Sequence, residues 1–308
     1  MKHFKTISEY HQFRGLPKPE HPLISVINLA DIKHLTSDEP MNLSFDVFCI
    51  SIKRISNFKV RYGQQQYDFD EGVLFFMSPN QVYSICSGAE EELKQSGWML
   101  LIHPDFLWNT SLTVIIKQYD FWNYFVNEAL FLSGKEEKTI DNIIQNIQQE
   151  YGANIDKFSK KIIISQVETL LNYSERFYNR QFITREKTNH EILERLDNVL
   201  IDYFSSDKLA ARGVPTVKYI SEQLNLSPNY LSSLLKVLTG LNTQQHIHNK
   251  LIENAKVKLS TTSLSISQIA FELGFEHLPS FSKLFKSKTK LSPLEFRQSF
   301  NSPNSLKQ

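Results

Sequence analysis

The spacing of apolar positions changes twice along the chain, and the changes divide it into three regions. Between residues 42 and 102 apolar residues come in short runs: FDVFCISI at 45–52, FKVRY at 58–62, VLFFM at 73–77, VYSI at 82–85 and WMLLI at 98–102. Runs of this length, rich in β-branched and aromatic residues, predict strands. The intervening RYGQQQ, DFDEG, MSPNQ and CSGAEEE hold the Gly, Asn, Pro and acidic residues that turns use. Their spacing suits an antiparallel sheet or small barrel over about 40–105.

From about residue 135 the period becomes helical. Ile140, Ile143, Ile144 and Ile147 stand at i, i+3, i+4 and i+7, and a second stretch at 158–177 puts Ile163, Val167, Leu170, Leu171 and Phe177 on one face. Two amphipathic helices are expected over about 135–181, either covering the β-rich body or also forming a dimer contact. The polar FITREKTNH at 182–190 reads as a linker, so that 1–181 forms one domain and 191–300 a second, with 301–308 as a tail.

Beyond the linker the chain repeats itself at a period of about 50. ISEQLNLS at 220–227 matches IAFELGFE at 269–276 with an offset of 49, and YLSSLLKVLTGLN at 230–242 matches SFSKLFKSKTKLS at 280–292 with an offset of 50. The second copy therefore has one extra residue between its helices. Each copy reads as helix, tight turn, helix, over about 217–238 and 266–288. In the first, Asn225 suits a left-handed turn residue, Leu226 plugs the corner, and Ser227 caps a helix opened by Pro228. In the second, Ser265 and Gln268 have capping-box spacing, Gly274 takes the turn, Phe275 the plug, and Pro279 opens the next helix. Between the units a helix over 243–259 turns Ile247, Leu251, Ile252, Ala255 and Leu259 inward. At about 1.5 Å per residue it spans roughly 25 Å, near one turn of DNA.

Charge sharpens this division. The 308 residues carry a net +1, yet 208–308 hold 13 Lys and Arg against five Glu and no Asp, a net +8, leaving −7 for the rest. A basic end on an acidic body fits a polyanionic partner for the end alone. No apolar run approaches the roughly 20 residues needed to cross a bilayer. The amino terminus lacks the apolar core of a signal peptide, and Cys49 and Cys86 read as two reduced, packed thiols, so a cytoplasmic location is expected.

The long pattern IAFELGFE followed by SFSKLFKSKTKLSPLEFR, within 269–297, resembles the second helix-turn-helix unit of the AraC family of bacterial transcription regulators. The resemblance extends over about 190–300. It implies an all-helical, seven-helix domain in which a long helix joins two helix-turn-helix units, each inserting one helix into the major groove of double-stranded DNA. On such a helix the first two turns face base edges. This selects Asn229, Ser232 and Ser233 in the first unit and Pro279, Ser282 and Lys283 in the second, with Lys283 the best candidate for a guanine contact. Phosphate contacts fall to Ser227, Lys236, Lys286, Lys288 and Lys290, helped by backbone N–H groups at the helix starts. The chain departs from the family at Ser233, often an arginine there, and at Lys290, usually glycine, as Gly240 is in the first unit.

More faintly, EGVLFFMSPNQVYSI at 71–85 resembles the cupin-like sensing barrel that many members place ahead of the DNA-binding domain. That resemblance implies a small effector in the barrel, dimerisation through the following helices, and RNA polymerase as a further candidate partner. The expected fold is thus a β-rich cupin-like barrel with two helices, followed by an all-α double helix-turn-helix domain. A cupin enzyme fused to a DNA-binding tail is the alternative, but it needs a cluster of His with a carboxylate to hold its metal. His103, next to Pro104, is the sole His in the strand region. His246 and His248 lie two apart, on different sides of their helix. No nucleophile elbow, phosphate loop, CxxC pair or HExxH is present, so neither metal, cofactor nor enzymatic chemistry is expected.

Overall fold

The computed structural model describes residues 2–32, 41–55, 60–62, 65–67, 72–85, 95–125, 128–153, 156–206 and 208–301. The chain divides into two units, Met1–Thr184 and Arg185–Gln308. The first opens with β1 (Lys2–Phe4), α1 (Ile7–Phe13) and β2 (Ile24–Asn28), continues through β3 (Met41–Phe45), β4 (Phe48–Ile55), β5 (Val60–Tyr62), β6 (Gln65–Tyr67), β7 (Val73–Met77), β8 (Tyr83–Ile85) and β9 (Gln95–Ile102), and after the short α2 (Leu112–Ile115) adds β10 (Leu130–Phe131), α3 (Gly134–Tyr151) and α4 (Ser159–Thr184).

Period-two alternation on β4 organises this unit. It is the central strand of a five-stranded antiparallel sheet of order β10-β7-β4-β9-β2. Ile50 stands opposite both Phe76 and Leu100, and Ile52 opposite Leu74 and Trp98. This face packs on the second half of the unit: Phe48 and Phe76 contact the Trp122 ring, and Trp98 Nε1 donates to Asp141 of α3 at 2.9 Å. The opposite face brings Cys49, Met99, Leu101 and Ile27 against Phe4, Ile7, Tyr10, Leu43 and Phe45. Burial pushes the Cys49 thiol up to about 12, so this cysteine is an inert packing group. Cys86 lies outside the described residues.

The run at 45–52, expected as one strand, is two. β3 ends at Phe45 in a small sheet of order β1-β3-β8, the chain bends at Asp46 and Val47, and β4 starts at Phe48 in the large sheet. The Asp46 N–H donates to the Phe4 carbonyl at the corner. RYGQQQ, expected as a turn, supplies both strands of the β5-β6 pair. In MSPNQ the turn holds, with Asn80 left-handed at φ 66°. DFDEG except Gly72, and all of CSGAEEE, lie outside the described residues. Among those described, the strands form open sheets and no ring of strands closes, so the expected barrel is not what the hydrogen bonding shows.

α3 buries Ile140, Ile143, Ile144 and Ile147 as its period demands, starting at a capping box between Ser133 and Glu136. The stretch at 182–190, expected as a linker, is largely helical: α4 runs to Thr184 and α5 (Glu186–Ser205) begins after one non-helical residue, Arg185. Glu and Lys are good helix formers, so a polar stretch need not be irregular backbone.

The second unit continues with α6 (Lys208–Arg212), α7 (Val217–Leu224), α8 (Pro228–Thr239), α9 (Thr243–Thr261), α10 (Ile266–Glu272), α11 (Leu278–Thr289) and α12 (Pro293–Asn301). With α5 this makes eight helices among the described residues, against the seven that the resemblance implies; the five-residue α6 is a single turn packed beside α10. No helix among the described residues is long and apolar enough to cross a membrane.

Candidate nucleic-acid interface

Two copies of one local design build the site. Thr216 caps α7 by accepting from the Tyr219 N–H, and α7 ends at Asn225 in the left-handed conformation (φ 57°, ψ 40°). Ser227, fully buried, accepts from the Tyr230 N–H at 3.3 Å and starts α8, with Pro228 at its first position. In the second copy Ser265 and Gln268 form the capping box of α10, Gly274 takes the left-handed turn (φ 79°), and α11 follows with Pro279 in its first turn. The corner hydrogen bonds correspond: Leu226 N–H to Ser221 carbonyl, and Phe275 N–H to Ala270 carbonyl, both 3.0 Å.

Packing fixes which faces look outward. Tyr230, Leu231, Leu234 and Leu235 of α8 are buried, as are Phe281 and Phe285 of α11. α9 carries both copies, turning Ile247, Leu251, Ile252, Ala255 and Leu259 inward from a capping box at Asn242 and Gln245. The deep corner residues are Leu224 and Leu273, at 2% and 0% exposure. Leu226 and Phe275, expected as the plugs, are only half-buried.

The outward stripe of α11 consists of Pro279, Ser280, Lys283, Lys286 and Lys290, all exposed, with Ser282 half-buried beside them. Ser280, one helical turn before Lys283, was not singled out by sequence; counting back three from Lys283 is the signal that finds it. Lys288 is tied to the connecting helix, its Nζ donating to Asn249 at 3.1 Å. Lys286 faces Glu295, whose carboxyl is held below the usual range chiefly by the Ser292 N–H. On α8, Lys236 is exposed while Asn229, Ser232 and Ser233 are half-buried. The Ser232 hydroxyl shares a 2.9 Å hydrogen bond with Thr243 at the start of α9. That contact turns it toward its own fold. Ser227, expected at a phosphate, is fully buried with its hydroxyl on the Tyr230 N–H, which leaves that side chain no outward surface.

Lys290 settles how the chain manages without the glycine. It adopts φ 68°, ψ −6°, almost the geometry of Gly240 at φ 75°, ψ 0°. The turn is therefore kept, at the cost of a left-handed non-glycine residue.

No group of His, Cys, Asp and Glu able to hold a metal occurs among the described residues. His103 accepts from the Asp105 N–H at 3.2 Å and caps a short 3-10 turn. His246 is bonded to Thr239 at 2.8 Å.

Two helix-turn-helix units carried on one connecting helix, with a lysine stripe on the second, define a double helix-turn-helix domain. Residues 220–299 match the family model described as "Helix-turn-helix domain". The arabinose operon regulatory protein of Escherichia coli is 31% identical over 114 residues, 36% of this chain and 39% of that protein. The C-terminal domain of the response regulator yesN from Fusobacterium nucleatum is 31% identical, covering 34% of this chain and 95% of that one at a TM-score of 0.30. ToxT from Vibrio cholerae aligns with 91% of this chain and 98% of its own at 15% identity and a TM-score of 0.31. The chain spans less than half the length of the curated relatives it matches. Residues 220–299 thus form a helix-turn-helix domain of the kind found in AraC-type transcriptional regulators such as the arabinose operon regulatory protein.

Proposed function

We propose that the chain binds double-stranded DNA and regulates transcription, with α8 and α11 entering successive segments of the major groove. The observation that carries this reading is the exposed lysine stripe on α11, repeated at Lys236 of α8, on helices whose opposite faces are buried in the same way. Lys283 has no acid beside it among the described residues and stands two turns into its helix, where base edges are read. Asn229 and Ser233 read from α8, and Pro279, Ser280 and Ser282 complete the contact of α11. Ser232 positions α8 through Thr243. Lys236, Lys286, Lys288 and Lys290 neutralise phosphates, and the N-terminal amides of α8 and α11 add to this.

In this reading the N-terminal unit is an effector-binding domain of the cupin-like kind, and its helices pair two copies of the chain on DNA, where RNA polymerase is the downstream partner. The sheet supports this through its two-sided construction, one face packed on Phe121, Trp122 and Tyr178 and the other lined by Cys49, Ser51 and Lys53.

Selection of bound fragments from random duplex DNA, followed by titration of the selected fragment at rising salt, tests the proposal. Four phosphate-binding lysines per domain predict a slope of log K against log salt of roughly −3 to −4 for one copy and about twice that for a pair. Recovery of no preferred sequence, together with salt-independent binding, would refute it.

A further inference from the structure

The first turn of α11 departs from the pattern that the rest of the helix keeps. Phe281 and Phe285 are fully buried and Leu284 is half-buried, while the outward stripe beyond the first turn is lysine. Leu278 and Pro279, at the start of the helix, are apolar and exposed, Leu278 to 38%. They stand one turn ahead of Ser282 and Lys283, at i and i+4. The other copy of the unit differs at this point. The second helices align at an offset of 50, so Asn229 of α8 corresponds to Pro279 and offers an amide where α11 offers a hydrocarbon ring.

The polar reach of this turn is small. Pro279 has no N–H, the Ser280 N–H donates to the His277 carbonyl at 3.1 Å, and among the side chains at 278–280 only Ser280 carries a hydrogen-bonding group. In the major groove every base edge presents donors or acceptors, and thymine alone adds an apolar C5-methyl group. A leucine and a proline pressed on a guanine, adenine or cytosine edge strip water from polar atoms and return no hydrogen bond. Against a thymine methyl both surfaces are apolar. The turn therefore selects by burial and by rejection together. A further apolar side chain, Phe271 of α10, is 70% exposed and lines one hollow with Leu278 and Phe275. Phe271 lies one element back from the reading helix, whereas Leu278 and Pro279 are continuous with its lysine stripe.

We propose that Leu278 and Pro279 read thymine through its methyl group, so that the α11 half of the DNA site carries one or two thymines recognised without a hydrogen bond to these two side chains. The proposal rests on reading α11 as a groove helix and names the base that its first turn selects. Four helical residues rise about 6 Å, which places these thymines within about two base pairs of the position that Lys283 reads.

Replacing thymine by deoxyuracil in the selected fragment tests this on the unaltered chain, because it deletes the methyl group and leaves the hydrogen-bonding edge intact. Each thymine is replaced in turn and Kd is measured at one salt concentration. Replacement at one or two positions in the α11 half, beside the base whose preference Lys283→Ala relaxes, should weaken binding about threefold to tenfold. A chain carrying both Leu278→Ala and Pro279→Ala should bind the thymine and uracil fragments to within about 1.5-fold of each other. Both side chains are exposed, so these changes leave the buried face of α11 intact. An α11 half that contains no thymine, or whose thymines all tolerate uracil, overturns the proposal while sequence-selective binding still upholds the DNA-binding reading. A thymine-to-uracil difference that survives the double substitution also overturns it, and leaves the patch of Leu278 and Phe271 to a protein partner. If selection recovers no preferred sequence, both readings fall.

Discussion

Lys283 and Lys286 stand three residues apart on α11, both exposed, yet they carry different assignments. In the proposed complex Lys283 meets the groove floor, where losing a contact changes the preference among bases, and Lys286, further along the helix, adds charge near the backbone. Lys283→Ala should therefore relax base preference at one position by about 1–3 kcal/mol. Lys286→Ala should weaken all sequences alike and reduce the salt slope by about 1. Identical profiles for the two variants, in binding to a panel of single-base substitutions, would show that the roles are misassigned. Gly274 gives a test of the turn itself. A Cβ there would lie 2.7 Å from Gly213 Cα and 3.0 Å from the Leu209 carbonyl oxygen, at φ +79°. Backbone meets backbone, so no rotamer relieves the clash, and Gly274→Ala should cost about 3 kcal/mol or more in denaturant unfolding of the second unit. Lys290→Gly should act the other way. It releases a left-handed lysine and stabilises by about 0.5–1 kcal/mol, while DNA affinity falls with the lost charge. Unchanged stability would mean that the left-handed lysine carries no strain.

At the scale of elements, α9 holds the two reading units together and carries His246 and His248, both half-buried. Burial is the main cause lowering each pKa; Asp197 partly opposes it at His246, and Lys288 adds to it at His248. As pH falls through about 6.5 the unfolded chain takes up protons that the folded helix refuses. Stability of the second unit should thus be full above that pH and decline as pH drops toward the lowered folded values. Glu295, itself depressed, contributes a further loss at lower pH. Denaturant midpoints at pH 7.5 and 5.5 check this, and His248→Gln should flatten the decline; greater stability at the acidic value would contradict it. The helices were legible in sequence because their caps and periods agree: Ser265 with Gln268, Asn225 at the turn, and Ile140 to Ile147 on one stripe. The corner at Asp46 was not legible, since Phe45, Val47 and Phe48 are all buried and an unbroken apolar run conceals a change of sheet. β1, α1 and β2 were missed because short, mixed segments such as KHF and ISVIN carry little period to read.

For the whole molecule, the division into an acidic first part and a basic last part matches the division of labour proposed for the two units. The repeat is legible in the sequence itself, whereas the inward-facing hydroxyls of Ser227 and Ser232 could not be inferred from helical spacing alone. The central claim is that α8 and α11, joined by the 19-residue α9, read one DNA duplex from the same side. At about 1.5 Å per residue that helix is roughly 28 Å long, close to one turn of B-DNA. Hydroxyl-radical footprinting of the full chain on its selected fragment tests this most directly. The account predicts two protected patches about 10 base pairs apart on one face of the duplex, the patch assigned to α11 weakening in Lys283→Ala. A single patch, or two on opposite faces of the helix, would contradict it.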